Sequence, residues 1–355
     1  MSVLLVYPFC DEFAEFARCK EALAGYDRLL LVAPKSHGLE GEDASICDGG
    51  DWLDTVISSD FASGVKQADA VFFGCAAEIL PERGYLEKIR VALEHGKKVY
   101  INRKLREHLG AFVGSEQVEV LGYTQEIPEE ELTEKLLPIP VPVIMVLGIG
   151  DHCNNFSIQL KLREHFQQQG YRVLGCGSKE YSRLFGMEAL PQFLFDDRSG
   201  GMKIRRFNSY LYHRVAREKP DVVIIGIPGG IMQINPYKFS EFGETAFLIS
   251  NAVKSDLNIL SLYKQEYTQE FLEHLIQICK YRFNFQVNYI NIANTNFNIS
   301  PEDKLERYTT IPSRHITEEV LKDLRYENMI FFNALNVDSR KEAYDKILRE
   351  LEDNI

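Results

Sequence analysis

The chain contains no uninterrupted run of 18 apolar residues in its 355, so no segment is suited to cross a bilayer as a helix. Its first residues, MSVLLVYPFCDEF, read as a strand and lack the basic stretch and long apolar core of a secretory signal. Positive charge is also scarce: 40 lysines and arginines stand against 52 acidic residues, a formal net charge of -12. That balance excludes a general nucleic-acid or anionic-membrane surface, both of which need a basic patch, and the strip at residues 203–206 is too short to reverse it. None of the seven cysteines forms a C-x-x-C pair, which excludes a compact disulfide framework and points to reduced thiols. A soluble, cytoplasmic protein with neither nucleic-acid nor membrane partner is expected.

Two nucleotide signatures are absent as well. A dinucleotide site would place G-x-G-x-x-G after the first strand, yet the turn there is Tyr7-Pro8-Phe9-Cys10-Asp11, which excludes a nicotinamide or flavin domain. The second absence is more informative. Residues Val143–Gly177 have the layout of a phosphate-binding P-loop: an apolar strand (Val143–Leu147), a loop with Gly148 and Gly150, a helix over about Phe156–Gln169, and a second strand (Tyr171–Gly175). The working motif is G-x-x-x-x-G-K-[ST], but Gly150 to Ser157 spells G-D-H-C-N-N-F-S.

Each replacement has a physical meaning. The loop curls backbone N–H groups inward, and its lysine supplies charge to the phosphates. Asn155 stands where the second glycine would be, and asparagine tolerates the left-handed backbone that the turn needs. Phe156 stands at the lysine position and offers phosphate neither charge nor hydrogen bond, a loss of about 1.5–3 kcal/mol for one charge-assisted bond. Asp151 adds a negative charge beside the anion site, while Ser157 keeps the hydroxyl that a P-loop gives to magnesium. Further on, PDVVIIGIPGG (Pro220–Gly230) reads as a buried strand ending in a Pro228-Gly229-Gly230 turn. Gly226 or Ile227 falls where a magnesium-linked aspartate belongs. Lys179, Arg183, Lys203, Arg205 and Arg206 are candidate substitute cations, Lys179 first.

What is present is enough for more than one core: 45% of the residues are apolar, and single cores stop growing near ~250–300 residues. The alternation of strands (Ser2–Tyr7, Leu29–Ala33, Ala70–Gly74, Lys98–Ile101) with helices (Asp11–Ala24, Tyr85–Gly96) predicts an N-terminal Rossmann-like parallel sheet. It is followed by a degenerate P-loop NTPase-like α/β domain. The expected organisation is a Rossmann-like domain over 1–137, a proline-rich linker at 138–142, the P-loop-like domain over 143–300 and a C-terminal α/β extension over 301–355. In that extension a helix (Thr317–Arg325), a strand (Asn328–Phe332) and a terminal helix (Asp338–Leu351) are predicted.

Three further patterns carry candidate chemistry. Cys10, Cys75, Cys153 and Cys176 follow predicted strands, where ligands bind in parallel sheets. His152, Cys153 and Cys176 would form a metal site, or Cys153 a reactive thiol, though small cysteines filling loop-to-sheet gaps explain the pattern more simply. Asp69 and Glu78 flank the FFGC strand and read as solvated carboxylates. Over Tyr281–Ser300 apolar and polar residues alternate, and Asn284, Asn288, Asn291, Asn294, Asn296 and Asn298 carry paired donors and acceptors suited to a peptide backbone or a nucleobase, though a half-buried strand with a polar solvent face explains the pattern more simply. A strand there at a sheet edge would also accept an extended peptide.

The run LGIGDHCNNFSIQLKLREHF, then YRVLGCGSKEYSRLFG with LPQFLF behind it, then PDVVIIGIPGGIMQ, resembles the clostridial-type peptide maturation system proteins. Those are accessory proteins of loci that make ribosomally synthesised, post-translationally modified peptides, commonly beside radical SAM enzymes. The resemblance implies a role in peptide modification, with a precursor peptide or a peptide-modifying enzyme such as a radical SAM protein as partner. The expected site is a cleft formed by Gly148, Gly150, Asp151, His152, Cys153, Asn154, Asn155 and Ser157 of the loop, Ser178 and Lys179 of the Gly177–Gly186 turn, and Pro228, Gly229 and Gly230. It would hold a peptide, a partner or a nucleotide (ATP or GTP with magnesium) without turning it over. The alternatives are an active ATP- or GTP-dependent transferase or ligase with a relocated lysine, and a metal- or thiol-dependent enzyme using Cys153.

Overall fold

The computed structural model describes residues 1–74, 82–109, 116–122, 127–300, 302, 304–326 and 328–353. Cys75, Glu78 and Pro301 lie outside the described residues. The chain divides into two units: Met1–Asp48, Trp52–Gly122 and Glu180–Gly186 form the first, and Gly49–Asp51, Tyr123–Lys179 and Met187–Ile355 the second.

The first unit holds a five-stranded parallel sheet of β1 (Val3–Tyr7), β2 (Arg28–Leu31), β3 (Ala70–Phe73), β4 (Lys98–Asn102) and β5 (Val118–Leu121), in the order β2-β1-β3-β4-β5. Helices α2 (Phe61–Gln67) and α3 (Glu82–Glu94) cross between strands, and α4 (Arg103–Leu109) follows β4 directly. The helix expected over Asp11–Ala24 is broken: α1 is only Ala14–Arg18, between single 3-10 turns. All five α1 residues are buried, and Arg18 forks onto Asp48 with both bonds at 2.7 Å, so packing sets this segment and overrides helical propensity. Asp69 is exposed, as expected of a strand-end carboxylate, and also accepts the Val3 N–H at 2.8 Å.

The second unit is built on a seven-stranded parallel sheet. Its strands are β6 (Val143–Gly148), β7 (Val173–Gly177), β8 (Glu188–Ala189), β9 (Val222–Gly226), β10 (Leu257–Leu262), β11 (Tyr289–Ile292) and β14 (Ile330–Phe332), in the order β14-β11-β10-β6-β9-β7-β8. Every residue of β6 is buried, as a central parallel strand requires. Its side chains alternate between two cores. Ile144 and Val146 pack with Ile158, Leu162 and Phe166 of α5 (Asn155–Gln168) and with Tyr344 and Ile347 of α10 (Val337–Asp353). Met145 and Leu147 pack with Phe207 and Leu211 of α6 (Gly200–Glu218), Ile249 of α7 (Glu244–Ala252) and Leu275 of α8 (Gln269–Arg282). The unit is therefore doubly wound, and its ligand edge is the carboxyl end of the strands. A separate antiparallel ribbon pairs β12 (Thr295–Ile299) with β13 (Glu306–Thr310).

The expected boundaries move. Residues 301–355 are part of the second unit, because β14 joins its sheet and α10 covers one of its cores. The prolines at 138–142 are not a linker: Leu137 and Thr133 bond to Asn208 and Ser209 of α6, and the Pro142 carbonyl accepts the Val223 N–H at 2.9 Å. The helix predicted over Thr317–Arg325 is a short turn α9 (Ser313–His315) running into a π-helix at Ile316–Val320. The strand expected at Tyr171–Gly175 begins at Val173, after Gly170 at φ 91° ends α5 and Arg172 is tied to Asp221.

Candidate functional site

The loop joining β6 to α5 runs from Ile149 to Asn154 at the carboxyl edge of the sheet. The left-handed residues are His152 (φ 56°) and Asn154 (φ 58°), whereas Asn155, expected in that role, is the first residue of the helix. The loop's carbonyls are fixed by hydroxyls from the neighbouring strands. Tyr263 Oη donates to the Asp151 carbonyl at 2.7 Å, Thr295 Oγ1 to that of His152 at 2.8 Å, and Ser261 Oγ to that of Cys153 at 2.5 Å. Asn154 in turn accepts the Asn294 N–H through Oδ1 at 2.9 Å.

The glycines keep the P-loop frame, but the chain's own side chains occupy the space they leave. A β-carbon on Gly148 would lie 2.6 Å from Asn155 Nδ2, and one on Gly150 would strike the Tyr263 hydroxyl. At Gly226, where the magnesium-linked acid would stand, a β-carbon would fall inside the Gln159 carboxamide. Gln159 is wholly buried: it donates to the Asn155 carbonyl at 3.0 Å and to Ser178 Oγ at 2.8 Å, and accepts the Ser178 N–H at 3.1 Å. Gly230 packs on the Ile149 carbonyl, which brings the Pro228-Gly229-Gly230 turn against the loop, with Gly229 exposed at φ 76°. Phe156, at the lysine position, is 1% exposed and belongs to the interior; Ser157 is 4% exposed.

The charges at this edge differ from those expected. Lys238, which the sequence gave no reason to single out, places Nζ 3.0 Å from Asp151 Oδ2 and 2.9 Å from Glu306 Oε2. Burial works to raise the Asp151 carboxyl, but Lys238, Lys179 and His152 outweigh it and hold it below its ordinary value. Lys179 is thus near the loop, as expected. The other candidate cations are committed elsewhere: Arg183 belongs to the first unit and pairs with Glu119 at 2.9 Å, Lys203 lies 3.7 Å from Glu244, Arg205 donates to the Thr133 carbonyl, and Arg206 pairs with Glu129.

Other parts of the expected cleft separate. Ser178 and Lys179 belong to the second unit and Glu180–Gly186 to the first. Burial pushes the Cys153 thiol up to about 12, the reverse of the lowering expected of a reactive cysteine. Among the described residues no group of three His, Cys, Asp or Glu side chains is placed to hold a metal ion. Three of the six asparagines read as a recognition surface serve the chain itself, and Asn284 is exposed. Asn291 bonds Ser261 and Ala334, Asn294 bonds Ile311 and Gly49, Asn288 accepts from Asn258, and only Asn296 and Asn298 face outward from the ribbon.

Comparison with known proteins yields a fold. No protein-family model matches the chain, and no curated protein matches it. Among solved structures it is similar to a DUF1611 family protein from Anabaena variabilis, with a TM-score of 0.53 and 11% identity over 82% of this chain and 88% of that one. It is also similar to the signal recognition particle receptor FtsY from Elizabethkingia anophelis (TM-score 0.28, 18% identity, 45% of this chain and 51% of that one). A third is a nucleotide-binding protein in complex with ADP from Archaeoglobus fulgidus (TM-score 0.30, 13% identity, 59% and 87%). The last two superpose too loosely to carry an argument. The chain is a mixed α/β protein with parallel sheets. No helix among the described residues is long and apolar enough to cross a membrane.

Proposed function

We propose that this chain is a non-hydrolysing accessory protein of a peptide-maturation system, in which a P-loop-like domain has become a rigid platform for a precursor peptide or its modifying enzyme. One observation carries the reading: the spaces over Gly148, Gly150 and Gly226, which in a working loop admit phosphate and metal, are filled by Asn155, Tyr263 and Gln159. The resemblance of the Val143–Gln233 motifs to the clostridial-type proteins supplies the biological setting, with a radical SAM enzyme as the partner class.

The test has two arms. Calorimetric titration of the purified chain with ATP and with GTP, each with and without magnesium, is expected to give no binding at millimolar nucleotide. Addition of the chain to a precursor peptide and its modifying enzyme is expected to raise the yield of modified peptide. Micromolar, magnesium-dependent nucleotide binding would overturn the reading in favour of an active transferase or ligase, with Lys238 or Lys179 as the relocated cation. Modification that proceeds equally with and without the chain would remove the accessory role.

A further inference from the structure

The ribbon of β12 and β13 has two outer edges, and they differ. The Ile311 N–H donates to the Asn294 carbonyl at 2.8 Å, and the Ser300 N–H to that of Leu305 at 3.0 Å. These two hydrogen-bonded pairs fix the antiparallel alternation between them. Asn296 with Thr309 and Asn298 with Arg307 therefore share bonds across the ribbon, while residues 295, 297 and 299 of β12 and 306, 308 and 310 of β13 direct their backbone groups outward. The β12 edge is covered: the Thr295 carbonyl accepts the Lys264 N–H at 2.8 Å, and that of Phe297 accepts Gln265 Nε2 at 2.8 Å. On the β13 edge, the outward N–H and C=O groups of Glu306, Tyr308 and Thr310 meet no partner among the described residues.

We infer that the β13 edge binds an extended peptide as an added strand. Donors and acceptors repeating at every second residue are satisfied together only by another extended backbone. The side chains define the peptide's pattern. On one face Tyr308 packs against Phe297 at 5.3 Å and His152 at 4.3 Å between ring centroids, an aromatic floor continuous with the β6–α5 loop. On the other face Arg307 and Thr309 are exposed. A docked strand would thus set apolar residues beside Tyr308 and polar or acidic ones beside Arg307. Past the Glu306 end, the segment tied to the ribbon by Lys238 carries Tyr237, under Lys304 at 5.2 Å, and the stacked pair Phe239 and Phe242, each about half exposed. These rings would anchor an apolar residue beyond the paired stretch.

The inference deepens the peptide-handling reading, but its test is independent of any precursor peptide. A random twelve-residue peptide library displayed on phage is selected against the full chain, and an enriched peptide is synthesised with a fluorophore for anisotropy. Compared with Tyr308→Ala, which loses the ring packed on Phe297 but keeps the N–H, Tyr308→Pro also removes one outward N–H and no backbone bond to β12. It should weaken binding by roughly tenfold or more beyond Tyr308→Ala, whereas Tyr308→Phe should leave it within about threefold. Methylation of the peptide's amide nitrogens, one at a time against the unaltered chain, should abolish binding at alternate positions only. Failure to enrich any peptide, equal binding by Tyr308→Pro, or a methylation pattern without alternation would overturn the inference. So would sedimentation showing a dimer that Tyr308→Pro dissociates, since the edge would then belong to a second copy of the chain.

Discussion

Substituting Gly226 by alanine tests whether the site is filled from within. The new methyl group would fall inside the Gln159 side chain, and Gln159, wholly buried on α5, has no solvent to turn into. It must leave the place where it holds the Asn155 carbonyl and both the hydroxyl and N–H of Ser178. Three hydrogen bonds at about 1 kcal/mol each put the cost near 3 kcal/mol. At roughly 2–4 °C per kcal/mol for a unit of this size, the melting temperature should fall by about 6–12 °C. Calorimetric melts of Gly226→Ala, Gln159→Ala and the double variant give the decisive comparison. Removing the glutamine makes room for the methyl, so the double variant should be more stable than the sum of the single losses by at least about 1.5 kcal/mol. If Gly226→Ala melts within about 0.5 kcal/mol of the parent, or the two changes simply add, the packing argument is wrong.

Two further outcomes follow from the same chemistry. Cys153 is 2% exposed with its thiol pushed up to about 12, so iodoacetamide at pH 8 should label it at least about a hundredfold more slowly in the native chain than after denaturation, as read by peptide mass mapping. Rapid native labelling would restore the thiol-enzyme reading. In the first unit, burial works to raise the Asp43 carboxyl, but its bonds from Ser45, Leu53 and Thr55 prevail and hold it below its ordinary 3.8. A folded value below the unfolded one means that this stabilisation is complete above the unfolded value and is lost as pH falls through the folded one. Melts of Asp43→Asn should therefore show a lower midpoint at pH 7 and a shallower decline below about pH 4 than the parent; parallel declines would dismiss the assignment.

Parts of this fold are written locally, and parts are not. The strand at Val143–Gly148 and the helix after it are legible because a run of buried residues ends at glycine and a polar loop precedes amphipathic spacing. One strand of the ribbon was legible: alternation over Tyr281–Ser300 pointed to a strand, and β12 lies within it, but the open edge belongs to β13, outside that stretch, and β11 is buried on both faces. Lys238 was not legible. Its partners are Asp151 and Glu306, 87 and 68 residues away, and it sits in a stretch without periodicity, so only tertiary placement reveals it. The same holds for Glu180–Gly186, whose Tyr181 packs with Phe13, Phe16 and Phe72 of the first unit while its flanking strands stay in the second.

The glycines illustrate why motif reading alone misassigns this site. In a phosphate-binding loop a missing side chain lets ligand approach the backbone; here it lets the chain approach itself. Sequence cannot tell these uses apart, because Gln159 lies 67 residues from Gly226 and Tyr263 lies 113 from Gly150. A reversal of the charge pattern alone, Phe156→Lys, would not restore a phosphate site, since the new ammonium would sit where a ring is 1% exposed and the Gly226 corner would still hold a carboxamide. The filled corner is chemically consistent: a polar interior at the sheet edge needs internal hydrogen-bond partners, and Gln159, Ser178 and Tyr263 supply them.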